Sequence, residues 1–196
     1  MASESAGLLS LIRDSVAAPQ RAAERLLALR PSGIVLAQSA VLVSVLDALI
    51  LGVLGGGGFV IPLPDGDWVL PPFLHAALLV ASLVLTAGAL QVGGQILGGK
   101  GRFADALLVT IWLEVIAIAV QFAQILVALA LPMLTDLVGL LGIVVILWCM
   151  VHFAKALHGF PGLGRAIGAV LIGALAVGIA LSLLLGFLGF GASPDV

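Results

Sequence analysis

Two acids interrupt otherwise apolar sequence: Asp47 in "VLVSVLDALILG" and Glu114 in "LLVTIWLEVIAIAVQFAQ". Ionisable groups in such runs are the first place to seek function, because hydrocarbon tolerates them only when they face a partner, a cavity or a transported ion. On a helix turning 100° per residue, Gln121 shares the azimuth of Glu114 and Gln124 lies some 80° away, so the three form a polar stripe. Gln38 and Ser44 in the first apolar run, Gln91 and Gln95 in the second and His152 in the fourth are its candidate partners. A Glu114–His152 pair would be able to pass on a proton. The plainer reading is that these groups hydrogen-bond across helices and hold them together, at about 0.6–2 kcal/mol per bond. No Ser, His and Asp are gathered by any motif, and no three carboxylates have metal-ligand spacing, so neither an enzyme nor a metal or cofactor site is expected.

The elements that position these groups follow from composition. Of 196 residues, 62% are hydrophobic and 9% charged, where soluble domains carry about a quarter charged. A soluble globule of this size cannot hide so much apolar surface, so lipid is the solvent. A net charge of −2 with eight cations excludes a nucleic-acid-binding face. One cysteine, Cys149, permits no internal disulfide.

Five stretches suffice to cross about 30 Å of hydrocarbon: 34–54, 73–96, 106–131, 137–157 and 166–190. None alternates at period two, so each is expected to be α-helical, giving an all-α membrane protein whose 34–190 region is a five-helix bundle. Residues 1–33 then form an N-terminal segment and 191–196 an outer tail. Arg13, Arg21, Arg25 and Arg30 precede the first span, Lys100 and Arg102 separate spans two and three, and Lys155 and Arg165 flank the turn between four and five. Segments 55–72, 132–136 and 191–196 carry no Lys or Arg, and hold Asp65, Asp67, Asp136 and Asp195 instead. With five spans every cation falls on one side, which the positive-inside rule makes cytoplasmic. The expected location is a bacterial inner membrane, N-terminus in and C-terminus periplasmic.

The N-terminal segment reads as two short amphipathic helices broken near Pro19, with Leu8, Leu9, Ile12 and Val16 on the first apolar face and Ala22, Leu26 and Leu29 on the second. They are expected to pack on the bundle or lie among headgroups. The 55–72 segment, which opens on four glycines and holds four prolines, reads as a structured outer turn. In span five, Gly164, Gly168, Gly173 and Gly178 suit close helix packing.

Between spans two and three stands "GGQILGGKGRFADAL" (93–107), with five glycines in nine residues. Glycine suits a tight cytoplasmic turn, and Gly94 and Gly98 at i, i+4 suggest close approach of another backbone. The absence of GxxxxGK[ST] and of a preceding strand argues against a phosphate loop. This stretch resembles the glycine-rich loop before the third span of the Yip family, the Ypt/Rab-interacting membrane proteins. The later "LWCMVHFAKALHGFPGLGRAIGAVLI" is similar to the same family at its His158-Gly159 turn and Gly164-Arg165-Ala166 start. The resemblance covers about residues 10–190 and implies five spans with a cytoplasmic N-terminus. The leading expectation is a non-enzymatic scaffold, assembly partner or membrane organiser working among lipids, with another membrane protein or its own copies; the alternative is a small transporter or proton or ion conduit round Glu114. Gly98, Gly99, Lys100, Gly101 and Arg102 are then a cytoplasmic contact surface. A Rab GTPase partner is not expected, since only some 33 residues precede the first span and the composition suggests a bacterium.

Overall fold

The computed structural model describes residues 2–54, 59–61 and 67–187. Its elements are α1 (Ala2–Ala17), α2 (Pro19–Leu29), α3 (Gly33–Leu54), β1 (Phe59–Ile61), β2 (Trp68–Leu70), α4 (Pro72–Ile96), α5 (Phe103–Ala130), α6 (Thr135–His158) and α7 (Leu163–Phe187), with a 3-10 turn at Pro132–Leu134. The helices α3 to α7 carry five segments long and apolar enough to cross a membrane. The protein is therefore an all-α membrane bundle. Asp65, Asp195, residues 55–58 and the 191–196 tail lie outside the described residues.

The sequence supplies the helix limits. Pro72 starts α4 at a first-turn position, where its missing N–H removes no bond. Gly98 follows the end of α4 at φ 83°. There Gly99 N–H returns to Gly94 C=O at 2.8 Å and Gly98 N–H to Gln95 C=O at 3.0 Å, a closure that needs a left-handed residue. Gly159, at φ 66°, closes α6 in the same way: Phe160 N–H reaches Lys155 C=O at 3.0 Å and Gly159 N–H reaches Ala156 C=O at 3.3 Å.

The outer turn contains an element the sequence reading lacks. Strands β1 and β2 pair antiparallel, with Phe59 opposite Leu70 and Ile61 opposite Trp68. Three residues a side are too few for alternation to be read among the surrounding prolines and glycines.

Packing departs from expectation at both ends of the chain. Helix α7 lies mainly on α4, and the contact is backbone to backbone. A Cβ at Gly93 would strike Ala169 C=O, and one at Gly173 would lie 2.8 Å from Ala89 C=O. The span-five glycines thus divide: Gly173 meets α4 and Gly168 the Leu97 side chain just beyond it, whereas Gly164 and Gly178 face open space. In α4 it is Gly93, rather than Gly94 and Gly98, that receives another backbone.

Helices α1 and α2 dock on α5 and α6. Ser15, wholly buried, accepts a 2.8 Å bond from the Trp112 indole N–H and donates to Leu11 C=O at 2.8 Å, while its own carbonyl accepts from the Cys149 thiol at 3.2 Å. Ala23 and Leu26 join the main core, alongside Phe153 and Val109, and Ala22 is buried beside them in the chain. Three residues of the two expected apolar stripes are exposed: Leu9 and Leu29 at 68% each and Val16 at 42%. The small residues Ser15, Ala22 and Ala23 turn inward, and Leu9, Val16 and Leu29 turn outward. The Asp14–Arg25 ion pair, 2.9 Å, ties the two helices together.

Candidate functional site: a glycine cradle and an intramembrane polar seam

The glycine hairpin is built around one imidazole. His158, the last residue of α6, is buried against the α4–α5 connection. Its Nδ1 accepts from Gly101 N–H at 3.1 Å and its Nε2 donates to Leu90 C=O at 3.1 Å. These two bonds fix the tautomer with the proton on Nε2. The His158 carbonyl accepts from Lys100 N–H at 3.4 Å, and the ring stacks on Phe160 at 5.2 Å between centroids.

Three glycines make room for that ring. A Cβ at Gly94 would overlap the imidazole, one at Gly99 would lie 2.5 Å from Nδ1, and one at Gly101 would lie 2.7 Å from Cε1. Real Cβ atoms do not approach so closely, so these positions exclude any side chain while His158 stays in place. The expected contact surface divides accordingly. Gly101 is buried and Gly99 half-buried, whereas Gly98, Lys100 and Arg102 are exposed. Arg102 reaches Asp105 at 3.2 Å, in the first turn of α5. What the cradle presents outward is thus two cations on a clamped backbone.

The polar stripe of α5 comes apart into three environments. Gln121 donates from Nε2 to Asp47 Oδ1 across the α3–α5 seam at 2.7 Å, and Asp47 is only 3% exposed. Gln124 turns toward α6, its Nε2 lying 2.5 Å from where a Cβ on Gly139 would sit. Glu114 is half-buried. Among the described residues, no ion pair involves Asp47 or Glu114, and no three His, Cys, Asp or Glu residues are grouped to hold a metal.

His152 belongs elsewhere. Its Nδ1 pairs with Trp148 C=O at 2.9 Å, its ring lies 4.0 Å from the Trp148 ring, and both border the α1–α2 elbow at Pro19 and Arg21. The expected Glu114–His152 relay is not assembled. Among the described residues no ion pair joins the two. Of the other expected partners, Gln38 is exposed and Gln95 bonds Gly101 C=O at 3.4 Å.

Five long apolar helices, a docked amphipathic lead and cations gathered at one end of the connections define a polytopic membrane bundle. More particularly, the Yip1 domain family model matches residues 13–185, and the chain belongs to that family. No curated protein and no solved structure matches it.

Proposed function

We propose that this protein is a non-enzymatic scaffold of the bacterial cytoplasmic membrane, an assembly partner or local membrane organiser with its N-terminus inside and its C-terminus periplasmic. The observation that carries this reading is the His158 cradle. Three glycines and two imidazole hydrogen bonds hold the hairpin in one shape, and Lys100 and Arg102 stand exposed upon it. A preorganised loop binds with less ordering cost than a mobile one, and paired cations suit anionic headgroups or an acidic patch on a membrane-protein partner. Helix α5 supports the same placement. Its 28 residues span about 42 Å, roughly 12 Å more than the hydrocarbon layer. The excess is flanked by α1 and α2, whose arginines suit the headgroup level. Glu114 then sits near the inner boundary and the Asp47–Gln121 pair near mid-membrane.

The competing reading is a conduit round Glu114, Gln121 and Asp47. With His152 held by Trp148, the reading lacks its relay partner. Mild-detergent pull-down of a tagged copy separates the two. Replacing Lys100 and Arg102 together by Ala is expected to reduce the co-purifying protein or anionic lipid several-fold, with Glu114→Gln leaving it unchanged. Unchanged capture with the double variant would contradict the scaffold reading, as would vesicle flux that vanishes with Glu114→Gln. Removing residues 1–30 is a poor test, since Ser15, Ala22 and Ala23 are part of the core.

A further inference from the structure

The Asp47–Gln121 contact leaves two oxygens without a partner. Gln121 uses its Nε2 on Asp47, so its Oε1 lies at the same site, fully buried and accepting nothing. Ser44 is also wholly buried, and its Oγ has no hydrogen-bond partner. Ser44 precedes Asp47 by three residues, placing both on one face of α3 with Cβ atoms about 5–6 Å apart. A serine inside a helix ordinarily bonds the carbonyl one turn back, as Ser15 does to Leu11 C=O at 2.8 Å. Ser44 leaves that option unused.

Buried polar atoms without partners are costly. A carboxylate without counter-charge in hydrocarbon costs more. All eight cations of the chain belong to the N-terminal segment, the 97–102 connection or the neighbourhood of the α6–α7 turn, so none is placed to neutralise Asp47. Carboxylate, amide and hydroxyl oxygens together form the donor set of a hard cation. The charge selects its valence. One carboxylate makes the contact, and Glu114 stands seven residues back along α5, about 10 Å of rise. A divalent ion would leave a net positive charge buried at mid-membrane, whereas a monovalent ion leaves none. Ser44 and Asp47 are packed closely, at 0% and 3% exposed, which suits the smaller alkali ion. An entry route adjoins the site: a cavity of about 360 Å³ lined by Leu51, Gln121, Gln124 and Thr135 opens between α3 and α5 toward the end remote from the arginines.

We propose that Asp47, Gln121 and Ser44 form an intramembrane binding site for one sodium ion, entered from the periplasmic side. The ion fastens α3 to α5 at the level where their packing otherwise consists of aliphatic side chains. The site does not depend on the scaffold reading.

Thermal unfolding of the purified full chain in detergent tests it, with sodium, potassium or choline chloride at matched ionic strength. Sodium is expected to raise the unfolding temperature saturably, as a ligand of the folded state does, and potassium and choline are not. Asp47→Asn and Ser44→Ala are each expected to weaken apparent sodium affinity by roughly tenfold or more, and Gln38→Ala is expected to leave it unchanged. Should Asp47→Asn fail to fold, Ser44→Ala, which loses only a hydroxyl, carries the comparison. Equal unfolding temperatures in the three salts would overturn the proposal, as would a sodium effect that survives Ser44→Ala. Stabilisation by acid in choline with none by sodium would assign the site to a proton and overturn it equally.

Discussion

A single methyl group at residue 94 is expected to destabilise this protein by about 2–4 kcal/mol, while the same change six residues earlier on the same helix is nearly silent. In Gly94→Ala the new Cβ falls within the His158 imidazole. The ring has no slack to yield, because Gly101 N–H and Leu90 C=O hold its two nitrogens and Phe160 stacks on it. Moving it leaves a buried N–H without an acceptor and opens the junction between the α4–α5 hairpin and the end of α6. At Gly88 a Cβ meets nothing within 4 Å, so Gly88→Ala should be neutral or slightly stabilising, within about 1 kcal/mol. Unfolding of both variants in mixed detergent micelles gives the comparison. Equal losses at 88 and 94 would mean that the glycines serve backbone freedom and that the cradle is incidental.

The second large effect belongs to Trp112. Trp112→Ala removes a side chain that is 9% exposed and contributes to the main core, and it strips Ser15 of its indole donor. Truncating a buried tryptophan costs about 3–5 kcal/mol. The loss should be directional, because Ser15 is where α1 meets α5 and α6. In Trp112→Ala, trypsin is expected to cut faster after Arg13, Arg21 and Arg25, as α1 and α2 leave the bundle. Trp112→Phe keeps most of the ring and loses one hydrogen bond, about 1 kcal/mol, so its cleavage should stay close to that of the parent. Unchanged cleavage in Trp112→Ala would contradict the docked arrangement.

These two sites also measure what the sequence can convey. The five spans were readable because hydropathy and the 30 Å length requirement act locally; the α3 and α4 limits lie within a residue of expectation. The members of the polar seam were readable as residue types, but the Asp47–Gln121 pairing was not. It depends on the relative shift of α3 and α5, which no local pattern encodes. His158 was read as a turn residue. A signal was present, however: one turn at the end of α4 needs a left-handed glycine at 98, which leaves 94, 99 and 101 in want of a reason. Helices α1 and α2 were readable as a pair packed on the bundle, and Ala22 and Leu26 of the expected stripe are buried. That Ser15 makes the close contact with Trp112 and Cys149 was not readable, because a small polar residue off the apolar stripe gives no local signal.

The scaffold reading requires that the clamped hairpin and its cations face the cytoplasm, one span away from the β1–β2 turn. Site-directed labelling tests this most directly. In a background with Cys149 replaced by Ala, single cysteines at Lys100 and Asp67 are exposed to a membrane-impermeant maleimide in right-side-out and inverted vesicles. The account predicts that residue 67 is labelled only in right-side-out vesicles and residue 100 only in inverted ones. Labelling of both from the same side, or of residue 100 from outside, would contradict it.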